Sequence, residues 1–210
     1  PPVPPVKPEP VPGVDPYEAR LKEHQTTFEA IEAFMRDAQH YASMRAADPR
    51  SPINLRLEAM LPYSRGEAPV FFRAQSYKAI LQALKFAEAF QLKPVILGGG
   101  DAWKLAATLA EKEIPVIVDS VTLLPLGTDP LASVPALESG DTYERFNAYY
   151  ENPMKLHEAG VLFAIASNGT QHAKKTAVFA GLAVAHGLPL ESAIESITIN
   201  AAKILGLEES

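Results

Sequence analysis

The apolar residues of this chain follow two rhythms. From about Asp15 to Ala47, Phe28, Ile31, Met35 and Ala38 recur at helical spacing with charges between them, which predicts an amphipathic helix. Asp15 before Pro16 supplies an N-cap and a proline at the first helical position, and Asp48-Pro49 ends the helix. Beyond it, short continuous apolar runs alternate with helical stretches. Val70-Phe71-Phe72 predicts a strand, after which Ser76 caps a helix carrying Ile80, Leu84 and Ala87. Pro94–Leu97 predicts a second strand, followed by a helix capped by Asp101 and running through Trp103, Leu105 and Leu109. Pro115–Val118 predicts a third strand, then a long excursion and a helix from about Asp141 to Ala159. Val161–Ala166 predicts a fourth strand, with a helix from about Gln171 to His186. Leu190–Leu205 reads as two short helices broken near Thr198-Ile199-Asn200.

Continuous apolar strands are those of buried parallel sheets, and their alternation with helices implies βα units. Four such units are too few for a closed eight-stranded barrel, which takes about 250 residues. They make either a small open sheet or half a barrel whose other half lies upstream or on another chain.

Composition narrows the function. The chain has 210 residues, 47% hydrophobic and 21% charged, which is the composition of one globular domain with a sizeable core. Its net charge of −6 gives no basic footprint for nucleic acid or an anionic membrane, and no apolar run reaches the roughly 20 residues of a membrane helix. Cysteine is absent, which excludes disulfides, thiolate metal sites and a cysteine nucleophile. A chain without cysteine suits any redox environment, so cytoplasm and export both stay open. Eight of the 19 prolines fall within Pro1–Pro16, which reads as an extended polyproline II linker, or as a ligand for a proline-binding groove, ahead of a domain over 17–210. The chain begins at Pro1 with no initiator methionine or signal-peptide pattern, and we expect residues to have been removed upstream.

Chemistry on parallel βα folds sits where the strands end. Those places hold Arg73-Ala74-Gln75, Gly98-Gly99-Gly100-Asp101, Asp119-Ser120, and Ser167-Asn168-Gly169-Thr170 with His172 close behind. The glycine run could offer backbone N–H groups to a phosphate, but neither phosphate-loop pattern is present and Asp101 puts a negative charge there. A tight βα turn capped by Asp101 is the expectation. Among the five histidines none forms HxH or HExxH. His24 and His40 read as solvated, His157 and His186 as helix C-terminal cations, and His172 as the one placed for a pocket.

The run PVFFRAQSYKAILQALKFAEAFQLKPVILGGGDAWKLAATLAEKEIPVIVDSV resembles the second half of an amidohydrolase-superfamily barrel, and its imidazolonepropionase-like subgroup most of all. NPMKLHEAGVLFAIASNG fits the final barrel strand and the helix before it. The tail AGLAVAHGLPLESAIESITINAAKILGL carries Thr198-Ile199-Asn200-Ala201-Ala202, where the family has threonine-x-asparagine-proline-alanine. The resemblance covers about Pro52 to Leu207. It implies an α/β fold, the C-terminal half of a (β/α)8 TIM-type barrel, and a family that hydrolyses C–N bonds with a metal-activated water.

Carried over position by position, the implied metal ligands fail. The fifth-strand histidine falls at Arg73, which has no lone pair to give. The sixth-strand histidine falls at Gly98 or Gly99, and the eighth-strand aspartate at Asn168, a neutral amide. We therefore expect a degenerate metal site that binds a small anionic ligand or a partner subunit. The alternatives are an active hydrolase of non-peptide C–N bonds using upstream or altered ligands, and an unrelated α/β binding module. No cofactor is expected on this chain, and zinc or another divalent metal only if the family activity is retained. Asn168 and His172 stand at the implied catalytic positions, and Arg73, Gln75, Gly99 and Asp119 around a ligand. Arg73 is expected to grip a planar anion or to pair with Asp119. A half-barrel leaves two unpaired edges, so the missing N-terminal half or a second subunit is the expected partner.

Overall fold

The computed structural model describes residues 16–119, 140–167 and 169–207. The proline-rich segment, the excursion after the third strand and Asn168 lie outside them. The chain divides into two compact units, Pro1–Ser64 and Arg65–Ser210.

In the first unit, helix α1 (Pro16–Ala47) is followed by two single turns, α2 (Leu55–Glu58) and α3 (Leu61–Ser64), which periodicity over so few residues does not signal. The apolar stripe of α1 is covered at its C-terminal half, where Met35, Ala38 and Tyr41 are buried. Phe28 and Ile31, on the same predicted stripe, are exposed. The Asn54 side chain caps α2 by accepting from the N–H groups of Arg56 and Leu57. The Tyr41 hydroxyl donates to Glu58 and accepts from the Asn54 N–H at 3.2 Å, which pins α2 to α1. The Glu58 carboxylate raises the Tyr41 phenol above its ordinary value, with burial adding to the shift.

The second unit runs β1 (Pro69–Ala74), α4 (Tyr77–Ala89), β2 (Lys93–Gly98), α5 (Ala106–Glu111), β3 (Val116–Val118), α6 (Gly140–Glu158), β4 (Phe163–Ile165), α7 (Thr176–Ala185), α8 (Leu190–Ser196) and α9 (Ile199–Leu205). All strands are parallel and lie in chain order, β1-β2-β3-β4. The register sets Arg73, Leu97, Ile117 and Ala164 in one row across the sheet, so these residues share a face. The other face is the main core. There Ile96, Val116, Val118, Phe163 and Ile165 pack with Ile80 and Leu84 of α4, Leu109 of α5, Leu156 of α6 and Ala183 of α7. Each large side chain fully removed from water there contributes about 1.5–3 kcal/mol. On the first face Val95 and Ala164 pack with Ile204 of α9, and Phe71 is exposed. Strands in sequential order with the connecting helices on one face form the arrangement of part of a TIM-type barrel; a doubly wound sheet carries helices on both faces.

The returns from helix to strand share one device. Leu92 N–H bonds Ala87 O at 2.9 Å, Ile114 N–H bonds Leu109 O at 2.8 Å, and Val161 N–H bonds Leu156 O at 3.0 Å. Each reaches back across the residue that ends the helix in positive φ: Gln91 (53°), Glu113 (51°) and Gly160 (76°).

Two predicted helices start differently. The stretch after β2 opens with a 3₁₀ turn, Ala102–Leu105, and the one after β4 with a 3₁₀ segment, Thr170–Lys175. The fourth strand, Phe163–Ile165, is narrower than Val161–Ala166, with Leu162 O and Ala166 N–H still bonding Val116 and Val118 of β3 at its two ends. The break in the tail falls at Ile197-Thr198, near the predicted place. Among the described residues, no helix is long and apolar enough to cross a membrane.

Candidate functional site

The glycine run after β2 is a tight turn whose amide protons are all spent inside the protein. Gly99 N–H donates to Ala74 O at 2.9 Å, Gly100 N–H to Gln75 Oε1 at 3.1 Å, and Asp101 N–H to Gln75 O at 2.8 Å. Ala102 and Lys104 N–H close the 3₁₀ turn on Gly99 O and Asp101 O, and Trp103 N–H donates to Asn152 Oδ1 at 3.0 Å. A phosphate cradle needs free N–H groups, and this loop has none to offer from Gly99 to Lys104. The glycines are there for space. A Cβ on Gly99, whose φ is +59°, would stand 2.6 Å from Val116 Cγ1, and one on Gly98 would stand 2.8 Å from Gln75 Nε2.

Asp101 does not cap its own helix. Its Oδ2 accepts the Tyr77 N–H of α4 at 2.9 Å, while Oδ1 pairs with Lys104 Nζ at 2.9 Å. Together with Ser76, whose Oγ accepts the Ala79 N–H as predicted, it closes the α4 N-terminus. A carboxylate there is favoured by the helix dipole.

Three predicted site residues converge. Gln75, just past β1, spans the strand ends: Oε1 holds Gly100, and Nε2 donates to Asp119 Oδ1 at 2.6 Å. Asp119, just past β3, is 3% exposed. Its other oxygen faces Arg73 Nη1 at 3.5 Å, the long limit of an ion pair with hydrogen-bond character. The Arg73 side chain is 66% exposed, so solvent screens this pair and its contribution to stability is small, about 0–1 kcal/mol. Gly99, the fourth predicted ligand residue, is buried under the Val116 side chain and acts as spacer. His172 is half-buried in the 3₁₀ segment after β4; its N–H bonds Gly169 O, and its ring makes no hydrogen bond, ion pair or ring contact among the described residues.

One residue absent from the sequence-based candidates holds the site together. Asn152, in the middle of α6 and fully buried, accepts from Trp103 N–H and donates from Nδ2 to Gly99 O at 2.8 Å. It clamps the glycine turn from both sides. The signal for it in the sequence is an Asn-Pro pair inside a helical stretch, with Pro153 within the helix.

The described residues do not fit the divalent metal that the amidohydrolase resemblance implies. Among the described residues no group of three His, Cys, Asp or Glu side chains comes together. The space that a ligand side chain at position 98 would fill is taken by the Gln75 amide. Arg73 brings a fixed cation to the same strand ends.

These elements define an α/β protein with parallel strands alternating with helices, laid out as part of a TIM-type barrel. It is similar to the crystal structure of an amidohydrolase from Thermotoga maritima MSB8, with 26% sequence identity and a TM-score of 0.67. The match covers 86% of this chain and 45% of that protein, so the chain spans less than half of the amidohydrolase's length. No family model and no curated protein matches the chain. The structural match and its identity give general homology to the amidohydrolase superfamily.

Proposed function

We propose that this chain is the C-terminal half of an imidazolonepropionase-like amidohydrolase barrel whose metal centre has degenerated into a site for a small organic anion. The other half of the barrel, from upstream sequence or a second subunit, is its partner, closing the outer edges of β1 and β4, which have no neighbours among the described strands. We assign His172 to the same mouth.

The observation that carries the ligand reading is Arg73. Its guanidinium stands at the strand ends, tethered through one nitrogen by the buried Asp119 carboxylate, with most of the side chain in solvent. The remaining N–H groups make no bond among the described residues and can fork onto a carboxylate or phosphate. The test is calorimetric titration of the chain and its Arg73→Ala variant with succinate and with inorganic phosphate. Binding that weakens about tenfold or more in the variant supports the reading. Equal binding by both, or none by either, refutes the anion site. One equivalent of a divalent metal surviving dialysis overturns the degenerate centre in favour of an active hydrolase.

A further inference from the structure

We infer that a second ligand site lies at the opposite end of the sheet, where the strands begin, and that it takes an amphipathic organic anion: a carboxylate or sulfonate on an apolar body. A groove of about 500 Å³ lies there, between the starts of β2 and β3, the turn before β4, and α9. That is the size of a small-molecule pocket. Arg73, near the end of β1, and Asp119, just past β3, stand at the opposite ends of strands whose starts border the groove, so the two sites are separate.

The floor is apolar. Val95, Ile114 and Ile204 are buried beneath it, and Leu162, 37% exposed, gives it an apolar wall open to solvent. The rim is cationic. Lys93 and Lys203 are exposed, and neither makes an ion pair or hydrogen bond through its side chain among the described residues. Lys112, also on the rim, is engaged by Glu88 at 3.2 Å, and Glu113 is the one carboxylate lining the groove among the described residues. Two uncommitted ammonium groups at one end of a chain whose net charge is −6 select for an anion. Pro69, Pro94 and Pro115, which also line the groove, carry no N–H. The lysine side chains supply the positive charge that meets the anionic head, while the floor takes the apolar body.

The probe is anilinonaphthalene sulfonate, an aromatic body with one sulfonate, followed by its fluorescence with the wild-type chain, Arg73→Ala, and the double variants Lys93→Glu/Lys203→Glu and Lys93→Gln/Lys203→Gln. Both lysines are exposed, and the glutamine pair changes charge with little change of shape. We expect saturable binding that decanoate displaces and decanol does not. It weakens about tenfold or more in the glutamate pair, less in the glutamine pair, and is unchanged in Arg73→Ala. Equal affinity in the lysine variants, equal displacement by decanol, or no saturable binding overturns the site; the last two are the behaviour of a bare apolar face or one closed by a partner. A loss of probe in Arg73→Ala places it at the other end of the strands and also overturns it.

Discussion

Replacing Asn152 with alanine removes the clamp on the glycine turn without touching the ion pair beyond it. The side chain is fully buried and makes two hydrogen bonds, to Trp103 N–H at 3.0 Å and Gly99 O at 2.8 Å. Each partner left without a bond costs about 1–3 kcal/mol. Trp103 is half-buried, so its share lies at the low end, whereas Gly99 is buried and its carbonyl takes a larger one. The sum is about 3 kcal/mol, a large part of the roughly 5–15 kcal/mol that holds a domain together. At about 2–4 °C per kcal/mol for a chain of this size, the melting temperature should fall by about 6–12 °C. Urea titration should show an unchanged slope and a lower midpoint. Asn152→Asp sharpens the test. A carboxylate still accepts from Trp103 N–H but sets a second acceptor against Gly99 O, whereas a protonated carboxyl can donate there. Its folded-state pKa is therefore raised above the ordinary value of about 4. Stability from that group is present below the unfolded value and is lost as pH rises through the folded one. Loss of under about 0.5 kcal/mol in Asn152→Ala, the size of an ordinary surface change, would refute the clamp. So would an aspartate variant with the same pH dependence as the parent.

Gly99→Ala combines a left-handed backbone with a Cβ pressed on Val116, and should cost about 2–4 kcal/mol, while Gly160→Ala shares only the positive φ, meets nothing within 4 Å, and should cost about 1–2 kcal/mol. Equal melting temperatures for the two variants would show that the Val116 contact relaxes freely. Tyr41 has a raised pKa, so its contribution is present below about pH 10 and declines as pH rises from there through the folded value. Tyr41→Phe should flatten that alkaline loss in stability, measured by urea midpoints across the range; an identical slope in parent and variant would remove Glu58 as its cause.

The strands were legible because each is a short apolar run closed by charge, proline or glycine, and because β2 and β3 bury most of both faces. Side-chain caps were legible only where they act locally. Ser76 caps the helix it precedes, but Asp101, with the same local look, serves a helix that begins before it in the chain. Periodicity named the apolar stripe of α1 but not its cover: Met35 and Ala38 are buried, while Phe28 and Ile31 on the same stripe remain exposed. Placing Gln75 and Asp119 at strand ends was enough to bring them forward, since parallel register carries those ends together. Asn152 was hidden because its partners lie 49 and 53 residues away and helix propensity treats asparagine as a poor interior residue. A local rule broken in mid-helix marks a residue held there by tertiary bonds.

The glycine run and the arginine answer one physical demand. Asp119 is a buried carboxylate and must be met by donors or by a cation. Here a glutamine amide at 2.6 Å and a guanidinium at 3.5 Å face its two oxygens. The amide reaches Asp119 only because position 98 is glycine, since any Cβ there would stand 2.8 Å from Gln75 Nε2. The same amide is held by Gly100 N–H, and a Cβ at position 100 would lie 3.0 Å from Gln75 Oε1. Gln75, Gly98, Gly100 and Asp119 are thus mutually dependent. A side chain placed at position 98 would push out the amide that bonds Asp119. Removing the amide alone would take away the 2.6 Å bond to Asp119 Oδ1. A single substitution in this cluster therefore disturbs the others, because the bonding of the buried Asp119 carboxylate is tied to the space left by Gly98 and Gly100.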